Sequence, residues 1–501
     1  MTSFRSLLEG HAVRWAGPAV DADLRGLACD SRRVRPGDLF VALRGHRVDG
    51  HRHAAAAVRA GAAALLVEEP VGESVPTAVV SSTDKILSTV AARFYGHPSR
   101  SLRVLGVTGT NGKTTITYMM ETLLRAAGRP AGVLGTIEYR WPGHAEPAVN
   151  TTPMAADVQR LLAGMKAAGV TDVAMEVSSH SLALGRVEDV SFSVGVFTNL
   201  TQDHLDFHKD MEGYFNAKAR LFDLLARPEG PAGRRAVLNG DDPWTPRFME
   251  RLAVPRWTYA LDRPADIGAA SLALNAVGSR FELRTPVGAA PVALHLVGRH
   301  NVYNALAAAG GGLALGLSLT EVVQGLESVV GVPGRLERVT ENPPGDPTPS
   351  RAGLEVFVDY AHTDDALKNV LQTLRPLTTG RLIVLFGCGG DRDKTKRPRM
   401  GEVAARLADR VIVTSDNPRS EDPRQIAREV EAGVRRVAGR DYEVVVERGE
   451  AIARAIAAAG RGDIVLLAGK GHETYQIFAD GPVPFDDRSE ARRRLAERVS
   501  R

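Results

Sequence analysis

The chain has 501 residues, 44% of them hydrophobic and 24% charged, with a formal net charge of +4. At roughly 150 residues per domain this length suggests about three domains, and the composition is that of a globular protein, not a disordered, collagenous or membrane-spanning one. Cys29 and Cys388 alone exclude a disulfide framework, MTSFRSLLEGHAVRWAG has no apolar signal core, and the most apolar run, AAAAVRAGAAALLV, is too short to span a bilayer; the cytoplasm and no membrane partner are expected.

The first hundred residues alternate short β runs, LFVAL at 39–43 and AALLVEE at 63–69, with an alanine-rich helical pattern at 53–61. Pro98 and Ser99 mark a linker. From about 100 to 330, RVLGVT, AGVLGT, DVAMEV and VGVFTNL read as buried parallel strands with helices between them. A second boundary falls near Gly331–Gly334, followed by the Pro-rich stretch 341–353. LEVFVDY, RLIVLFG, RVIVTSD and DIVLLAG then repeat the strand–helix pattern of a doubly wound domain. The expected fold class is α/β in three domains, 1–98, 99–332 and 333–501.

Gly109-Thr-Asn-Gly-Lys-Thr-Thr115 follows a strand and opens a helix. Glycines there let backbone N–H groups wrap phosphates, while Lys113 supplies charge and Thr114 reaches a metal. The strict pattern G-x-x-x-x-G-K-[ST] would require glycine at position 107, which is Val107. Nucleotide binding is expected; the reaction is not defined by the loop, since motors, kinases and ligases share it.

Two strands end in polar clusters, Glu176 with His180, and Asp203, His204, Asp206 and His208. Glu176 suits magnesium, a hard ion that takes oxygen ligands; His204 is a less usual neighbour for it, and a zinc site would lack cysteine. Residues 210–225 read as an amphipathic helix with Tyr214, Leu221, Phe222 and Leu225 on its apolar stripe. Lys218 falls on that stripe. It either snorkels to solvent or is held inside with a depressed pKa.

In chain order, GTNGKTT, NTTP (150–153), MEVSSH, FTNLTQDHLDFH, YFNAK, GRHNVYNALAA (298–308), GVPGRLERV (331–339), VDYAH (358–362), FGCGGDRDKTKRP (386–398), DNPR (416–419) and AGKGHE (468–473) occur over nearly the whole chain. The set resembles the Mur ligase family, ATP-dependent ligases that add amino acids to the peptidoglycan precursor. The folate polyglutamate ligases share the phosphate loop but do not resemble the DNPR or GCGGDRDK stretches.

The resemblance implies a UDP-substrate-binding N-terminal domain, a central P-loop-type ATPase with a parallel sheet and a C-terminal Rossmann-like domain that binds the amino acid. It implies ATP and magnesium, with Gly109, Thr110, Asn111, Gly112, Lys113, Thr114, Thr115, Asn301 and Asp359 at the nucleotide and Arg335 near its phosphates. Lys113, Lys218 and Arg335 are the implied catalytic residues. Thr114, Glu176, His204 and Lys218 are the implied metal ligands, Lys218 as a carbamate derived from carbon dioxide. Ser31, His46 and Arg47 fall where the family holds the UDP end, and Asn150, Thr151, Thr152, Ser178 and Arg186 where it holds the sugar-peptide. Two departures stand out: Leu184, where some relatives have glutamine, and Asp364, where many have proline.

VTSDNPRSEDP (413–423) ends a strand with an acid, an amide, a fixed φ and a guanidinium, and Asp422 caps the next helix. By local chemistry it is a turn or a pocket for a small molecule carrying both charges. The resemblance implies the second, with meso-2,6-diaminopimelate as the added amino acid and UDP-MurNAc-L-Ala-D-Glu as the acceptor. Arg419 supplies a fork for the carboxylate; Asp416 and Asn417 order the loop or accept hydrogen bonds, and Pro418 freezes the approach. Arg392, Gly469 and Glu473 complete the implied contacts. The alternative in the same class adds L-lysine or another diamino acid. A nucleic-acid-binding NTPase is disfavoured, because the basic run 391–400 carries no interleaved aromatics and aromatic residues total 5%. A monomer is expected.

Overall fold

The computed structural model describes residues 2–45, 48–72, 74–343 and 350–500. It divides into two compact units, the first of residues up to 268 with 285–287 and 304–325, the second of residues 269–284, 288–303 and 326 onward.

Besides a two-stranded pairing of Thr2–Ser3 with Asp23–Leu24, the described residues of the first unit form two larger sheets. Near the N-terminus, β1 (Arg14–Ala16), β2 (Gly26–Ala28), β3 (Asp38–Val41), β4 (Ala64–Val67) and β5 (Thr77–Val79) lie in the order β1-β5-β4-β3-β2. Only β1 runs antiparallel to its neighbour. The alanine-rich pattern becomes the helix Ala54–Arg59 within the β3–β4 crossover.

The second sheet of this unit includes β6 (Arg103–Thr108), β7 (Ala131–Leu134), β8 (Asp172–Glu176), β9 (Phe192–Phe197), β10 (Arg235–Asn239) and β11 (Arg256–Ala260). Their order is β7-β8-β6-β9-β10-β11 and every neighbouring pair is parallel. Val104, Leu105, Val107, Val173, Met175, Val194 and Val196 are wholly buried, as expected for strands covered on both faces. Helices α1 (Lys113–Ala126) and α2 (Met211–Leu225) pack against the sheet. Val107 stands opposite Glu176 and Val196, so the carboxyl ends of β6, β8 and β9 come level. The crevice beyond such aligned ends is where open α/β sheets bind ligands.

In the second unit, β12 (Glu355–Asp359), β13 (Leu382–Phe386), β14 (Arg410–Val413), β15 (Asp441–Val444) and β16 (Ile464–Ala468) form a sheet in the order β12-β16-β13-β14-β15, all parallel. The short strand Glu337–Val339 adds antiparallel to β12. Helices α3 (Pro423–Val434), α4 (Arg448–Ala458) and α5 (Asp487–Val499) belong to this unit. Asp422 caps α3 through the N–H of Arg424, as its sequence predicts. Asp359, Ala468, Phe386 and Val413 are successive partners across four strands, which brings the loops after them to one edge. The chain returns through β16 between β12 and β13, a reversal that opens a crevice at that edge. Thr363 caps the helix Asp364–Leu374, so Asp364 starts a helix without the proline. Among the described residues no helix is long and apolar enough to cross a membrane.

Candidate active site

In the first unit the loop 109–112 joins β6 to α1. Gly109 (φ 148°) and Gly112 (φ 90°) occupy backbone regions that favour glycine. A Cβ on Gly109 would collide with Thr198 Oγ1, and one on Gly112 would press on Asn304 Oδ1. Val107 lies inside β6, not in the loop, so the glycine missing from the strict motif falls at a strand position where the loop has no use for it. The loop is tied to the end of β9: Thr110 N–H donates to Asn199 O (2.8 Å), Asn111 N–H to Asn199 Oδ1 (2.9 Å) and Thr198 Oγ1 to Asn111 O (2.6 Å). The first-turn N–H groups of α1 lack intrahelical acceptors and carry the positive end of the helix dipole, a ready anion site.

Glu176, at the end of β8 and 1% exposed, faces this helix start. Its Oε2 accepts from Thr114 Oγ1 (3.1 Å) and Thr136 Oγ1 (3.0 Å), and its Oε1 from Thr136 N–H (2.8 Å). A hydroxyl and a carboxylate beside a phosphate loop are hard oxygen donors, and this pair fits magnesium. His204 sits in a left-handed conformation (φ 52°) with its side chain 48% exposed, its ring edge-on to His180 at 4.8 Å. Among the described residues no group of three His, Cys, Asp or Glu is arranged for a metal ion.

Lys218, from the apolar stripe of α2, is held inside and is 1% exposed. Its Nζ donates to Gly109 O (2.8 Å), the carbonyl that also accepts from Lys113 Nζ (2.9 Å), and lies 4.4 Å from the centre of the Tyr214 ring. Burial, then the Lys113 charge, hold its pKa well below the ordinary 10.5, against a weaker pull from Asp203. Tyr214 hydroxyl shares a hydrogen bond with Thr110 Oγ1 (3.2 Å) and its ring faces His208 at 5.1 Å. His208, bonded to Ser179 Oγ (2.9 Å), has its pKa pushed down to about 4 by burial and by His180 and Lys218.

A second wall continues from Glu176. Thr152 Oγ1 donates to Glu176 O (2.8 Å) and accepts from Ser178 N–H (3.0 Å), Arg186 Nη1 donates to Thr152 O (3.2 Å), and Thr136 Oγ1 lies 3.1 Å from Thr151 Oγ1. Asn150 is exposed and its backbone is held by the Tyr139 hydroxyl. Thr114, Thr151, Thr152, Glu176, Ser178 and Arg186 therefore form one connected patch. Leu184 is 48% exposed beyond it. Ser31 lies in a one-turn helix capped by Asp30; His46 and Arg47 lie outside the described residues.

In the second unit, Asp359 is buried at the end of β12, its oxygens accepting from Leu336 N–H (2.7 Å) and Ala361 N–H (2.8 Å). Burial raises its pKa, opposed by the adjacent Arg335 and those N–H groups. Arg335 lies over Tyr360 at 5.0 Å, and Asn301 Nδ2 donates to Val297 O (2.9 Å).

The stretch 416–419 follows β14 and faces Gly469–Glu473 after β16. Asn417 Nδ2 donates to Glu473 Oε2 (2.8 Å), while its Oδ1 accepts from Ile477 N–H (3.0 Å) and Lys470 Nζ (3.2 Å). Asn417 thus ties the two loops together with both ends of its amide. Lys470, fully buried, also reaches Glu473 Oε2 (3.0 Å). Asp416 is 7% exposed, and a Cβ on Gly469 would stand 2.6 Å from its Oδ2. Among the described residues no donor is bonded to the Asp416 carboxylate, whose pKa burial raises against the pull of Arg448 and Lys470. Arg419 has φ 54° and its Nη1 donates to Gly390 O (2.8 Å); Arg392, exposed, donates to Asp391 O (3.1 Å). Arg397 is fully buried and joins Glu421 and Glu429, which pins the basic stretch to α3. Pro418 O would meet a Cβ on Gly390, so these loops touch through backbone.

Sequence reasoning gave no site role to Thr136, Asn199, Tyr214, Lys470 or Gln476. Gln476 Nε2 donates to Asp416 O (2.8 Å) and Ser415 Oγ (3.2 Å). The GT that ends AGVLGT, just past the strand, and the KGHE spacing were the available signals for Thr136 and Lys470.

A phosphate loop on a parallel sheet, with an acid at the next strand end and a buried lysine behind it, defines a P-loop nucleotide-binding protein. Models of the Mur ligase middle domain, the Mur ligase glutamate ligase domain and the Mur ligase family catalytic domain match residues 107–311, 334–471 and 23–102. The chain belongs to the Mur ligase family. It is 48% identical over 484 residues, 96% of each chain, to UDP-N-acetylmuramoyl-L-alanyl-D-glutamate--2,6-diaminopimelate ligase of Gloeobacter violaceus. A solved structure of a ligase of that name is 32% identical with TM-score 0.69, over 99% of both chains. A MurF ligase from Thermotoga maritima in complex with ADP shares the fold at 20% identity and TM-score 0.62, over 95% of this chain and 97% of that one.

Proposed function

We propose that this chain is an ATP-dependent ligase that adds meso-2,6-diaminopimelate to UDP-N-acetylmuramoyl-L-alanyl-D-glutamate, a step of peptidoglycan precursor synthesis in the cytoplasm. The observation that carries the reading is near-full-length identity to a ligase of that name. A carboxylate does not condense with an amine in water at useful rates. ATP phosphorylates the D-glutamyl carboxylate to an acyl phosphate, and the amine of diaminopimelate displaces phosphate. The protein positions the reactants and neutralises charge.

In this reading residues 1–98 bind the UDP end through Ser31, His46 and Arg47, residues 99–332 bind ATP, and residues 333–501 bind the amino acid. Gly109–Thr115 hold the phosphates, with Lys113 leaving its carbonyl partners for them. Arg335 adds charge, and Asn301 and Asp359 serve the adenosine side. Asn150, Thr151, Thr152, Ser178 and Arg186 receive the sugar-peptide; Leu184 replaces one polar contact there. Thr114, Glu176, His204 and Lys218 would hold magnesium, which when bound supplies positive charge at the phosphate oxygens.

Lys218 is carbamylated: its depressed pKa favours the neutral amine, whose nitrogen attacks carbon dioxide and gives up its proton to solvent, leaving a buried carbamate anion. Arg419 and Arg392 read the distal carboxylate of diaminopimelate. Asp416, Glu473 and the Gly469 backbone receive its ammonium, with Asn417 and Pro418 fixing the loop. The working form is a monomer with small-molecule partners only, and neither nucleic acid nor a membrane takes part.

The test is to incubate the protein with ATP, magnesium, UDP-MurNAc-L-Ala-D-Glu and diaminopimelate and weigh the product. A UDP-linked tripeptide is expected. Recovery of only the starting dipeptide with a folded protein refutes the proposal.

A further inference from the structure

At the root of the amino-acid pocket lies a fully buried ion pair outside the DNPR and KGHE motifs. Arg448 begins α4, Asp487 begins α5, and neither has any exposed side chain. Arg448 Nε donates to Asp487 Oδ1 (2.7 Å) and Nη2 to Asp487 Oδ2 (2.6 Å), a two-pronged pair. The remaining reach of the guanidinium goes to backbone: Nη1 to Ser415 O (3.0 Å) and Nη2 to Ala468 O (3.1 Å). Ser415 precedes Asp416, and Ala468 precedes Gly469. One planar group therefore ties together the roots of both loops proposed to read the substrate.

We propose that Arg448, locked in orientation by Asp487, is a positioning residue of the amino-acid pocket that sets the spacing between the Asp416–Arg419 loop and the Gly469–Glu473 loop. This rests on the proposed function of that pocket.

Stability alone is a weak reason for such a pair. Burying two ions costs several kcal/mol each, and apolar residues of similar volume are often as stable. What an apolar pair cannot do is donate to two backbone carbonyls from separate segments at once. The spacing matters, because the Asp416 carboxylate closes over Gly469 within 2.6 Å of a hypothetical Cβ. The pair also completes a charge pattern. Asp416, Glu473 and Asp487 face Arg448 and Lys470, three acids against two bases. Asp416, the acid of the three with no salt-bridge partner among the described residues, is left to meet an incoming ammonium, with Arg419 set apart for a carboxylate.

The double variant Arg448→Met/Asp487→Leu removes the anchor while keeping the volume filled. We expect its KM for diaminopimelate to rise at least about tenfold, since misplacements near 1 Å cost up to about 10²-fold. KM for ATP and for the UDP-dipeptide should stay near native, and amide exchange in peptides covering 414–419 and 468–473 should quicken. Native KM for diaminopimelate with unchanged exchange, or an equal loss for all three substrates, overturns the proposal. Should the double variant fail to fold, Arg448→Lys serves: its single ammonium keeps the charge beside Asp487 but cannot span both carbonyls, so the same selective rise in KM is expected and a native KM overturns it. If the native protein adds no diaminopimelate at all, the functional reading fails, and the exchange measurement still decides whether Arg448 orders the two loops.

Discussion

The phosphate loop and the amino-acid pocket solve the problem of charge in opposite ways. At Gly109–Thr115 the work falls to backbone: two glycines with positive φ, a helix start, and one carbonyl, Gly109 O, shared by Lys113 and Lys218. Lys113 and the helix start are left to meet polyphosphate, while Lys218, whose amine burial and Lys113 push toward the neutral form, is the group proposed to become a carbamate. In the pocket around Asp416 the work falls to side chains, and most charges are already compensated internally by Lys470, Glu473, Arg448 and Asp487. The first site is poised to take a large negative charge. The second has its buried acids and bases largely paired with one another and, in the proposed function, receives a small zwitterion.

Substitutions at the two sites should therefore fail differently. The largest loss belongs to the two lysines that share Gly109 O. Lys113→Ala is expected to lower kcat by about 10³-fold, in line with removing a transition-state electrostatic contact, while the UDP-dipeptide still binds by calorimetry; lost UDP-dipeptide binding in a folded protein would merge two sites that are held here to be separate. Lys218→Ala should be as severe and should not recover in added bicarbonate. An unmodified amine found by mass analysis in the active, magnesium-loaded enzyme would remove the carbamate.

Next comes Arg419→Ala. A hydrogen bond to a charged group contributes about 1.5–3 kcal/mol and an unpaired carboxylate adds to the loss, so kcat/KM for diaminopimelate should fall about 10²-fold. KM values for ATP and the UDP-dipeptide should not move. A mutant that keeps its preference for diaminopimelate over lysine would reduce Arg419 to a turn residue.

The smallest effect is on stability and has the opposite sign. Folded Lys218 has a lowered pKa, so between that value and 10.5 the unfolded chain binds more protons than the folded one, and stability rises with pH across this window. Lys218→Met removes that cost. In carbon-dioxide-free buffer at pH 7 its Tm should exceed that of the native chain, with the gap narrowing as pH approaches 10.5. A lower Tm at pH 7 would mean that the amine is stabilised inside.

The same contrast governs how much could be read from sequence. The strand–loop–helix around Gly109–Lys113 is local, and spacing reveals it even though Val107 breaks the textual pattern. Lys218 announced itself by standing on an apolar stripe, and Asp422 by preceding a proline. The order of strands, with β16 returning between β12 and β13, is not local, so nothing in the periodicity of DIVLLAG tells where it inserts. Lys470, Gln476, Arg448 and Asp487 meet only because that insertion brings distant segments together. Thr136 is similar: it follows an ordinary strand, and only the alignment of β7 with β8 puts it on Glu176.

The most direct test is phosphate release by the native protein with ATP, magnesium and UDP-MurNAc-L-Ala-D-Glu, comparing kcat/KM for meso-diaminopimelate and for L-lysine. A fork at Arg419 facing a distal carboxylate predicts turnover with diaminopimelate that exceeds lysine by about 10²-fold or more. Equal turnover with lysine, or phosphate release that needs neither amino acid, would contradict it.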